Sequence, residues 1–260
     1  MAFSSPRFLL LAVPALLATS AAAEDKDISI TLGAGAGVMP AYEGSKQFKA
    51  MPFPLIDIRG LADDRIFIST QRGIGVNLLN WDDLHAGVAV NFRGGRSSHD
   101  DDRLRGLPGL SAAIAATGFV TYSLKPFTFE LDGETIFGPA PGTEVTAKAT
   151  WSFSPLARMK VSIGPETTWA DRRYDRSYFG VSDDQAIAAA AAGNPLHPYS
   201  PGSGLKDVGL STTVAYQITD HWGIAAHAGV TELVGAAARH SPLTERDLQP
   251  SAFLGLTYRF

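Results

Sequence analysis

Residues 205–218, LKDVGLSTTVAYQI, decide the fold class because their side chains alternate in character. One side carries Val208, Leu210, Thr212, Val214, Tyr216 and Ile218, and the other carries Asp207, Gly209, Ser211, Thr213, Ala215 and Gln217. A repeat of two residues is that of a β-strand, whereas a helix would scatter both sets around its axis. The segment is therefore predicted to be a strand with one apolar and one polar face.

The same alternation recurs along the chain and predicts an all-β protein. The predicted strands are 28–38, 51–60, 64–70, 74–80, 83–93, 109–122, 124–137, 142–153, 157–170, 205–218, 221–235 and 250–260. Residues 64–80 can also be interpreted as one long strand, which would give eleven strands. An even count and the position of Gly73 favour a break there, so we expect twelve.

The links between these strands alternate in length. Short turns are predicted around LADD (61–64), NWDD (80–83), SLKP (123–126), SFSP (152–155) and TDH (219–221), and the intervening links are mostly longer, above all 94–108, 171–204 and 236–249. If both chain ends lie on one side, every short turn falls on that side too. Short periplasmic turns, long external loops and an even strand count are typical of a transmembrane antiparallel up-and-down β-barrel.

The N-terminus has the features of an export signal. A short positively charged segment is followed by an apolar run at 8–17 and by small residues ending at Ala23. We therefore expect a signal peptide at 1–23, cleaved to leave an outer-membrane barrel over 24–260. Loss of Arg7 takes the net charge from −4 to −5, and no basic block follows, which argues against nucleic-acid binding. The absence of cysteine excludes disulfides and a thiolate site.

A soluble β-sandwich or a lipocalin-like barrel would also alternate, but with its apolar face inside. Ionic residues on the polar faces favour a closed polar lumen, in which they can pair. We expect this lumen network to contain Glu130, Asp132, Glu134, Lys148, Arg158, Lys160 and Glu166. Aromatic residues near the predicted strand ends favour interfacial girdles: Phe92, Tyr122, Phe137, Trp151, Trp169, Tyr216, Trp222 and Tyr258. Together these features favour the membrane barrel.

The chain ends with SAFLGLTYRF, an apolar strand that finishes on an aromatic residue. Leu254, Leu256, Tyr258 and Phe260 share one face of this strand. A last strand must pair with the first to close a barrel, since an open apolar edge would aggregate. The pattern resembles the C-terminal assembly signal of outer-membrane barrels, which implies the barrel-assembly machinery as a partner.

No motif indicates catalysis or a cofactor. His85, His221 and His227 are expected to face inwards beside Asn91, where a hydrolase site of the outer-membrane lipase type is conceivable, but histidines that simply fill a polar lumen explain the pattern better. The segment SSHDDDR (97–103) lacks the ligand spacing of a calcium loop. We therefore expect no catalytic, cofactor-binding or metal-binding residue.

Several longer strings resemble the MipA/OmpV family of MltA-interacting outer-membrane proteins. They are PAYEGS in the first long link, YFGVS and GLKDVGL around residues 171–204, and SPLT in the last long link, in family order over essentially the whole mature chain. The Ala-rich stretch at 186–199 departs from the expected shorter, more polar link. The resemblance implies a non-enzymatic scaffold at the outer membrane of a Gram-negative bacterium, bringing a lytic murein transglycosylase together with a murein synthase.

Three functions follow from these observations. The resemblance favours the scaffold, which would have to bind its partners through the short turns and the N-terminal EDKDIS (24–29), because murein lies on the periplasmic side. The polar lumen and Gly-rich strands suggest, as an alternative, a small-solute channel or uptake barrel, although twelve strands enclose a narrow lumen. A lumenal hydrolase based on His85 and His227 ranks third.

Overall fold

The computed structural model describes residues 28–260, and these residues form a closed antiparallel barrel of twelve strands. The expected signal peptide, 1–23, lies outside the described residues. The strands are β1 (Ser29–Pro40), β2 (Phe48–Leu61), β3 (Ile66–Ser69), β4 (Gly73–Asn80), β5 (Leu84–Arg93), β6 (Ala113–Leu124), β7 (Phe127–Phe137), β8 (Gly142–Phe153), β9 (Met159–Ala170), β10 (Gly204–Gln217), β11 (Trp222–Leu233) and β12 (Leu248–Arg259). Consecutive strands pair throughout, and β12 pairs with β1 to close the barrel. The up-and-down topology and the count of twelve are therefore confirmed.

The break predicted near Gly73 is also confirmed. β3 and β4 are separate strands, joined by residues 70–72, and Gly73 has a φ of +81°, a conformation that a residue without a Cβ adopts at little cost. The hairpin they form is short, since β3 has only four residues whereas β2 has fourteen. β3 therefore pairs along only part of the length of β2.

The links lie at two ends of the barrel. The short-turn end contains residues 62–65, 81–83, 125–126, 154–158 and 218–221, together with both described chain termini. The long-loop end contains residues 41–47, 70–72, 94–112, 138–141, 171–203 and 234–247. The predicted division into short and long connections therefore holds.

The segment 171–204 contains two helices that the sequence analysis missed: α1 (Arg172–Tyr178) and α2 (Asp183–Ala191). A one-turn helix, α3 (Ala236–Arg239), lies in the last long link. Asp171 caps α1 by accepting a hydrogen bond from the Tyr174 backbone N–H, and Ser182 with Gln185 forms a capping box at the start of α2. Within residues 28–260, no helix has the length and apolar character needed to cross a membrane.

The wall turns its apolar face outwards. Large apolar side chains are exposed along the outer surface of the strands, including Val88, Val90 and Phe92 on β5, Phe127, Phe129 and Leu131 on β7, and Leu254 and Leu256 on β12. Polar residues of the same strands face inwards. A soluble barrel would bury these apolar side chains, so the arrangement is that of a membrane-spanning wall.

Candidate functional site

The buried apolar residues of this protein lie mainly at its long-loop end. One cluster joins four long links through Ala41, Tyr42, Leu104, Leu107, Val181, Ala186, Ala189, Leu196 and Leu243. A second lies beneath it, where α1 and α3 meet the strand ends, and contains Ala115, Ile136, Ala170, Tyr174, Phe179, Leu233 and Ala238. We call the folded layer made by residues 41–47, 94–112, 171–203 and 234–247 the cover.

Hydrogen bonds between different links hold the cover together. The Tyr42 hydroxyl donates to the Leu243 carbonyl at 2.7 Å, and the Ser241 hydroxyl donates to the Phe179 carbonyl at 2.7 Å. The side-chain amide of Asn194 donates to the backbone carbonyls of Arg103 and Arg105, at 2.9 and 3.0 Å. The cover therefore has its own core and its own polar network, and it closes the long-loop end.

Lys206 anchors the cover to the barrel wall. Its ammonium donates to Glu43 Oε1 at 2.7 Å and to Glu144 Oε1 at 2.5 Å, and it lies 3.4 Å from a carboxylate oxygen of Asp207. The Lys206 side chain is only 5% exposed. The Tyr174 hydroxyl of α1 donates to the other oxygen of Glu43 at 2.8 Å. One partly exposed carboxylate of the first long link therefore joins α1 to β10.

The protonation states of the cover residues fit this role. Burial would raise the pKa of Glu43, but the charge of Lys206, its hydrogen bond to this carboxylate and the charge of Arg93 together outweigh burial and hold that pKa below its usual range. Burial, reinforced by the charge of Glu43, raises the pKa of Tyr174 well above its ordinary value. Glu43 is therefore a carboxylate and Tyr174 a neutral hydroxyl donor across the physiological pH range.

Beneath the cover lies a cavity of about 280 Å³, which we call the upper chamber. Its lining includes three cations, Arg72, Arg93 and Lys206, and three carboxylates, Asp132, Glu134 and Glu144. Arg72 Nη2 lies 3.2 Å from an oxygen of Asp132, Arg93 Nε lies 2.6 Å from an oxygen of Glu134, and Arg93 also contacts Glu144. Positive and negative charges therefore balance within the chamber.

A second cavity of about 810 Å³, the lower cavity, lies towards the short-turn end. Its lining contains Asp57, Arg59, His85, Thr128 and Lys160. Arg59 and Asp57 pair near the end of β2, with 2.7 Å between Arg59 Nε and an Asp57 oxygen. Lys160 is exposed beside the turn before β9. This end of the lumen is therefore accessible, whereas the folded cover lies across the long-loop end.

Aromatic rings narrow the lumen between these levels. Phe53 and Phe253 meet edge to face with centroids 5.3 Å apart, and Phe67 and Phe119 do the same at 5.6 Å. A Cβ on Gly37 would collide with the ring of Phe253, so this glycine provides the space that the ring occupies. The lumen is thus filled by side chains at mid-height.

Comparison with known proteins identifies the family. The family model described as MltA-interacting protein MipA matches residues 32–260. The chain belongs to this family. The resemblance to the MipA/OmpV family found in the sequence is thereby confirmed.

The chain is also similar to curated relatives and, more distantly, to solved structures. The MltA-interacting proteins of Escherichia coli (strain K12) and Shigella flexneri are each 24% identical to this chain over 269 residues, covering 96% of this chain and 98% of theirs. A bacterial polysaccharide outer membrane secretin is similar with 9% identity and a TM-score of 0.46, over 89% of this chain and 98% of that one. Salmonella typhi OmpF is similar with 11% identity and a TM-score of 0.37, over 85% and 65%.

In this MipA-family barrel, the residues expected to form one lumen network are divided. Glu130 and Asp132 contact Arg72, and Glu134 contacts Arg93. Lys148 and Glu166 pair at 3.6 Å on the neighbouring strands β8 and β9. The expectation for Arg158 is wrong: it lies in the exposed turn before β9 and pairs with Asp220 at 2.9 Å, because the chain reaches the lumen face only at Lys160.

Four further charged residues that join this network were not predicted from the sequence: Arg72, Arg93, Glu144 and Lys206. Arg93 shares the inward face of β5 with Asn91, and Glu144 shares that of β8 with Lys148, so the alternation of side chains could have revealed both. Lys206 was obscured because a bulge between Leu205 and Asp207 shifts the register of β10 against β9. Arg72 lies in the link after β3, where no alternation exists to place it.

The three histidines do not form one site. His85 lines the lower cavity, and His227 lies 3.0 Å from the Thr213 hydroxyl. The inward expectation for His221 is wrong: this residue is exposed at the short-turn end, where its ring stacks on Tyr258 with centroids 5.5 Å apart. Over residues 28–260, no group of His, Asp and Glu is placed to hold a metal ion.

The acidic segment 97–103 has structural roles in the cover. Asp101 accepts a hydrogen bond from the Ser45 hydroxyl at 2.7 Å and from the Arg103 backbone N–H at 2.9 Å. Asp102 pairs with Arg105, and Asp100 lies 4.0 Å from Lys49 Nζ. These carboxylates therefore join residues 94–112 to residues 41–47 within the cover, and join the cover to β2.

The C-terminal strand places its apolar residues on the outer surface. Leu254, Leu256 and Phe260 are 59%, 46% and 69% exposed, and Tyr258 is half-buried against Trp222 and Phe260. The Phe260 backbone N–H donates to the Ile30 carbonyl at 3.0 Å, so the last residue still takes part in closure. The four residues expected to act as the assembly signal thus share the outer face of β12.

Proposed function

We propose that this protein is a non-enzymatic outer-membrane scaffold that holds a lytic murein transglycosylase near the inner surface of the membrane and brings it together with a murein synthase. The observation that carries the proposal is the asymmetry of the barrel: the cover closes the long-loop end, whereas the lower cavity opens at the short-turn end. Family membership supports the class of partner, because the Escherichia coli relative is named for its interaction with MltA.

We infer that residues 1–23 direct export and are removed, that the barrel-assembly machinery inserts residues 24–260 into the outer membrane, and that lipid covers the apolar outer face. Short turns face the periplasm in barrels of this class. The short-turn end is then the surface that a murein enzyme can reach.

Exposed residues on the short turns offer contact area for that enzyme. Trp81 is 65% exposed in the turn between β4 and β5, next to Asp82 and Asp83, and Leu156 is 61% exposed in the turn between β8 and β9. Aromatic side chains frequently dominate binding energy in protein interfaces. A scaffold requires only such a surface.

Site-specific photo-crosslinking in living cells tests the scaffold. A photoreactive phenylalanine at position 81 or 156 should capture a murein hydrolase or synthase, and the same residue at Ile187 should not, because Ile187 is 69% exposed on α2 at the opposite end. Capture of murein enzymes from position 187 alone, or from none of the three positions, would refute the scaffold.

The alternative, a channel, has one favourable observation: the lumen contains two cavities, one above the other, and each has charged residues in its lining. Conduction requires the cover to open, however. Planar-bilayer recording should therefore show no conductance of the wild type above the lipid baseline. A steady single-channel conductance of the intact protein would favour the channel over the scaffold.

A further inference from the structure

The short β3–β4 hairpin leaves a lateral opening in the barrel wall. β2 pairs with β3 only from Asp57 to Leu61, and beyond that Thr70 alone forms hydrogen bonds with β2, at Ile56 and Pro54. Among the described residues, the part of β2 from Phe48 to Phe53 pairs with β1 alone. Likewise β4 pairs with β5 only as far as Val90. Two strands separate β2 from β5 at the hairpin tip, which sets their axes roughly 14 Å apart.

The edge of β2 along this opening contains two prolines. The Ile56 backbone exchanges hydrogen bonds with Thr70, and the Pro54 carbonyl accepts from the Thr70 hydroxyl at 3.0 Å, so even-numbered residues of β2 direct their backbone groups to this edge. Pro52 and Pro54 are among them. Because proline has no N–H, the edge exposes fewer unpaired donors and resists pairing with another strand.

The opening lies within the apolar band and has a defined frame. At the same level, Val38 of β1 is 46% exposed opposite Ala50, and Phe92 of β5 is 73% exposed. The hairpin tip, residues 70–72, bounds the opening on the side of the short turns. The cover bounds it on the other side, where Asp100 lies 4.0 Å from Lys49 of β2. The opening is therefore a window between the membrane and the lumen.

The upper chamber borders this window at the hairpin tip and along β5. Gln71 and Arg72 of the hairpin tip and Asn91 and Arg93 of β5 both border the window and line the chamber. At ~30 Å³ per water, the chamber has room for about nine waters, or for one small polar head group. The chamber closes towards the cover through Lys206 and Glu43, so the window is its lateral entrance.

Two buried polar atoms of the chamber indicate the chemistry of a ligand. Within residues 28–260, Arg72 Nε and Asn91 Oδ1 are buried without a hydrogen-bond partner. The Asn91 amide donates through Nδ2 to Glu134 at 2.7 Å, which fixes its oxygen as the free acceptor. A cationic donor and a neutral acceptor, in a chamber with balanced charges, suit a group that has both an anionic and a cationic end.

We propose that this window admits the zwitterionic head group of a membrane amphiphile, such as a phosphoethanolamine, into the upper chamber while its acyl chain stays in the bilayer. The phosphate accepts from Arg72 Nε, and the ammonium donates to Asn91 Oδ1. The outer edge of the window, with Phe48 43% exposed and Pro52 and Pro54 on the same face of β2, contacts the chain. A net-anionic head group has no ammonium to donate to Asn91 Oδ1 and adds an uncompensated charge to a chamber whose own charges balance, so it binds less well.

Equilibrium binding to the folded, full-length mature barrel tests this proposal. Native mass spectrometry, with each lysolipid below its own critical micelle concentration, should show one lysophosphatidylethanolamine bound per barrel. Its affinity should be at least tenfold higher than that of lysophosphatidylglycerol. Gln71→Trp, which narrows the window, should weaken binding at least tenfold. Thr128→Trp, which narrows only the lower cavity, should leave binding unchanged.

A second variant and a free head group complete the experiment. Asn91→Leu keeps the side-chain size but removes the acceptor, and it should abolish the preference for the ethanolamine lipid; heat-modifiable migration confirms that each variant is folded. Equal affinity for both lysolipids, or unchanged binding in both Gln71→Trp and Asn91→Leu, would overturn the proposal. So would O-phosphoethanolamine binding as tightly as the lysolipid, which would indicate a site for solutes instead.

Discussion

Replacing Lys206 with methionine should release the cover from the barrel wall. The methionine keeps most of the side-chain volume but leaves Glu43, Glu144 and Asp207 without their shared cation, which lies 2.7, 2.5 and 3.4 Å from them. Removing one partner of a buried ion pair costs about 3–5 kcal/mol. Arg93 still contacts Glu144, so we expect the low end, about 3 kcal/mol, which raises the fraction of open cover roughly a hundredfold.

Trypsin reports this opening, because α1 contains Arg172, Arg173 and Arg176. In folded barrels, cleavage within α1 should be about a hundred times faster in Lys206→Met than in the wild type. Lys46→Met is the matched control: Lys46 also bonds a carboxylate, Glu245 at 2.8 Å, but its side chain is 62% exposed, and its loss should leave cleavage unchanged. Equal cleavage rates in wild type and Lys206→Met, with both barrels heat-modifiable, would refute the anchoring role.

Three further predictions concern other parts of the molecule. Deleting Phe260 should lower the amount of protein in the outer membrane, whereas Phe92→Ser, which alters an equally exposed phenylalanine of β5, should not; a normal level of heat-modifiable barrel in the deletion would contradict the assembly-signal proposal. Burial raises the pKa of Asp175 to about 7, with Glu43 and Asp171 adding to the rise and Lys206 opposing it, so the folded cover holds this proton more tightly than the unfolded loop does. Cover stability should therefore fall as pH rises from about 4 to about 7, and protease resistance, normalised to the unfolded chain, should lose this dependence in Asp175→Asn; an equally steep profile in the variant would assign the effect to another group. Gly37→Ala should lower barrel stability in a urea titration by about 1–3 kcal/mol because the new Cβ displaces the ring of Phe253, and Gly118→Ala, whose Cβ meets nothing within 4 Å, should not; equal midpoints would show that the ring moves freely.

The strands could be predicted from the sequence because successive side chains of a barrel strand face the lipid and the lumen in turn. Lipid selects apolar side chains on one face, and the lumen selects polar or small ones on the other, as at 205–218. Alternation places no side chain where the chain lies outside regular strand pairing. Lys206 follows a bulge, Arg72 lies in a link, and Glu43 reaches its partners from a loop, so the anchor of the cover was not visible in the alternation.

The helices of the cover were predictable in part. Ser182 followed three residues later by Gln185 is a capping-box pattern, and Asp171 before RRYDRSY is a good N-cap. Neither pattern reveals the fold of the cover, since its two apolar clusters join residues from links far apart in the chain. The pairing of charges in the upper chamber depends on the same long-range arrangement.

The placement of the apolar clusters has a thermodynamic consequence. Heat capacity rises on unfolding when apolar surface passes from a dry interior into water. The outer face of the wall contacts lipid rather than a protein core. Much of the apolar surface that becomes exposed to water on unfolding therefore comes from the cover. Calorimetry in bilayers should therefore record a heat-capacity step when the cover melts, at a temperature below that at which the barrel itself is lost.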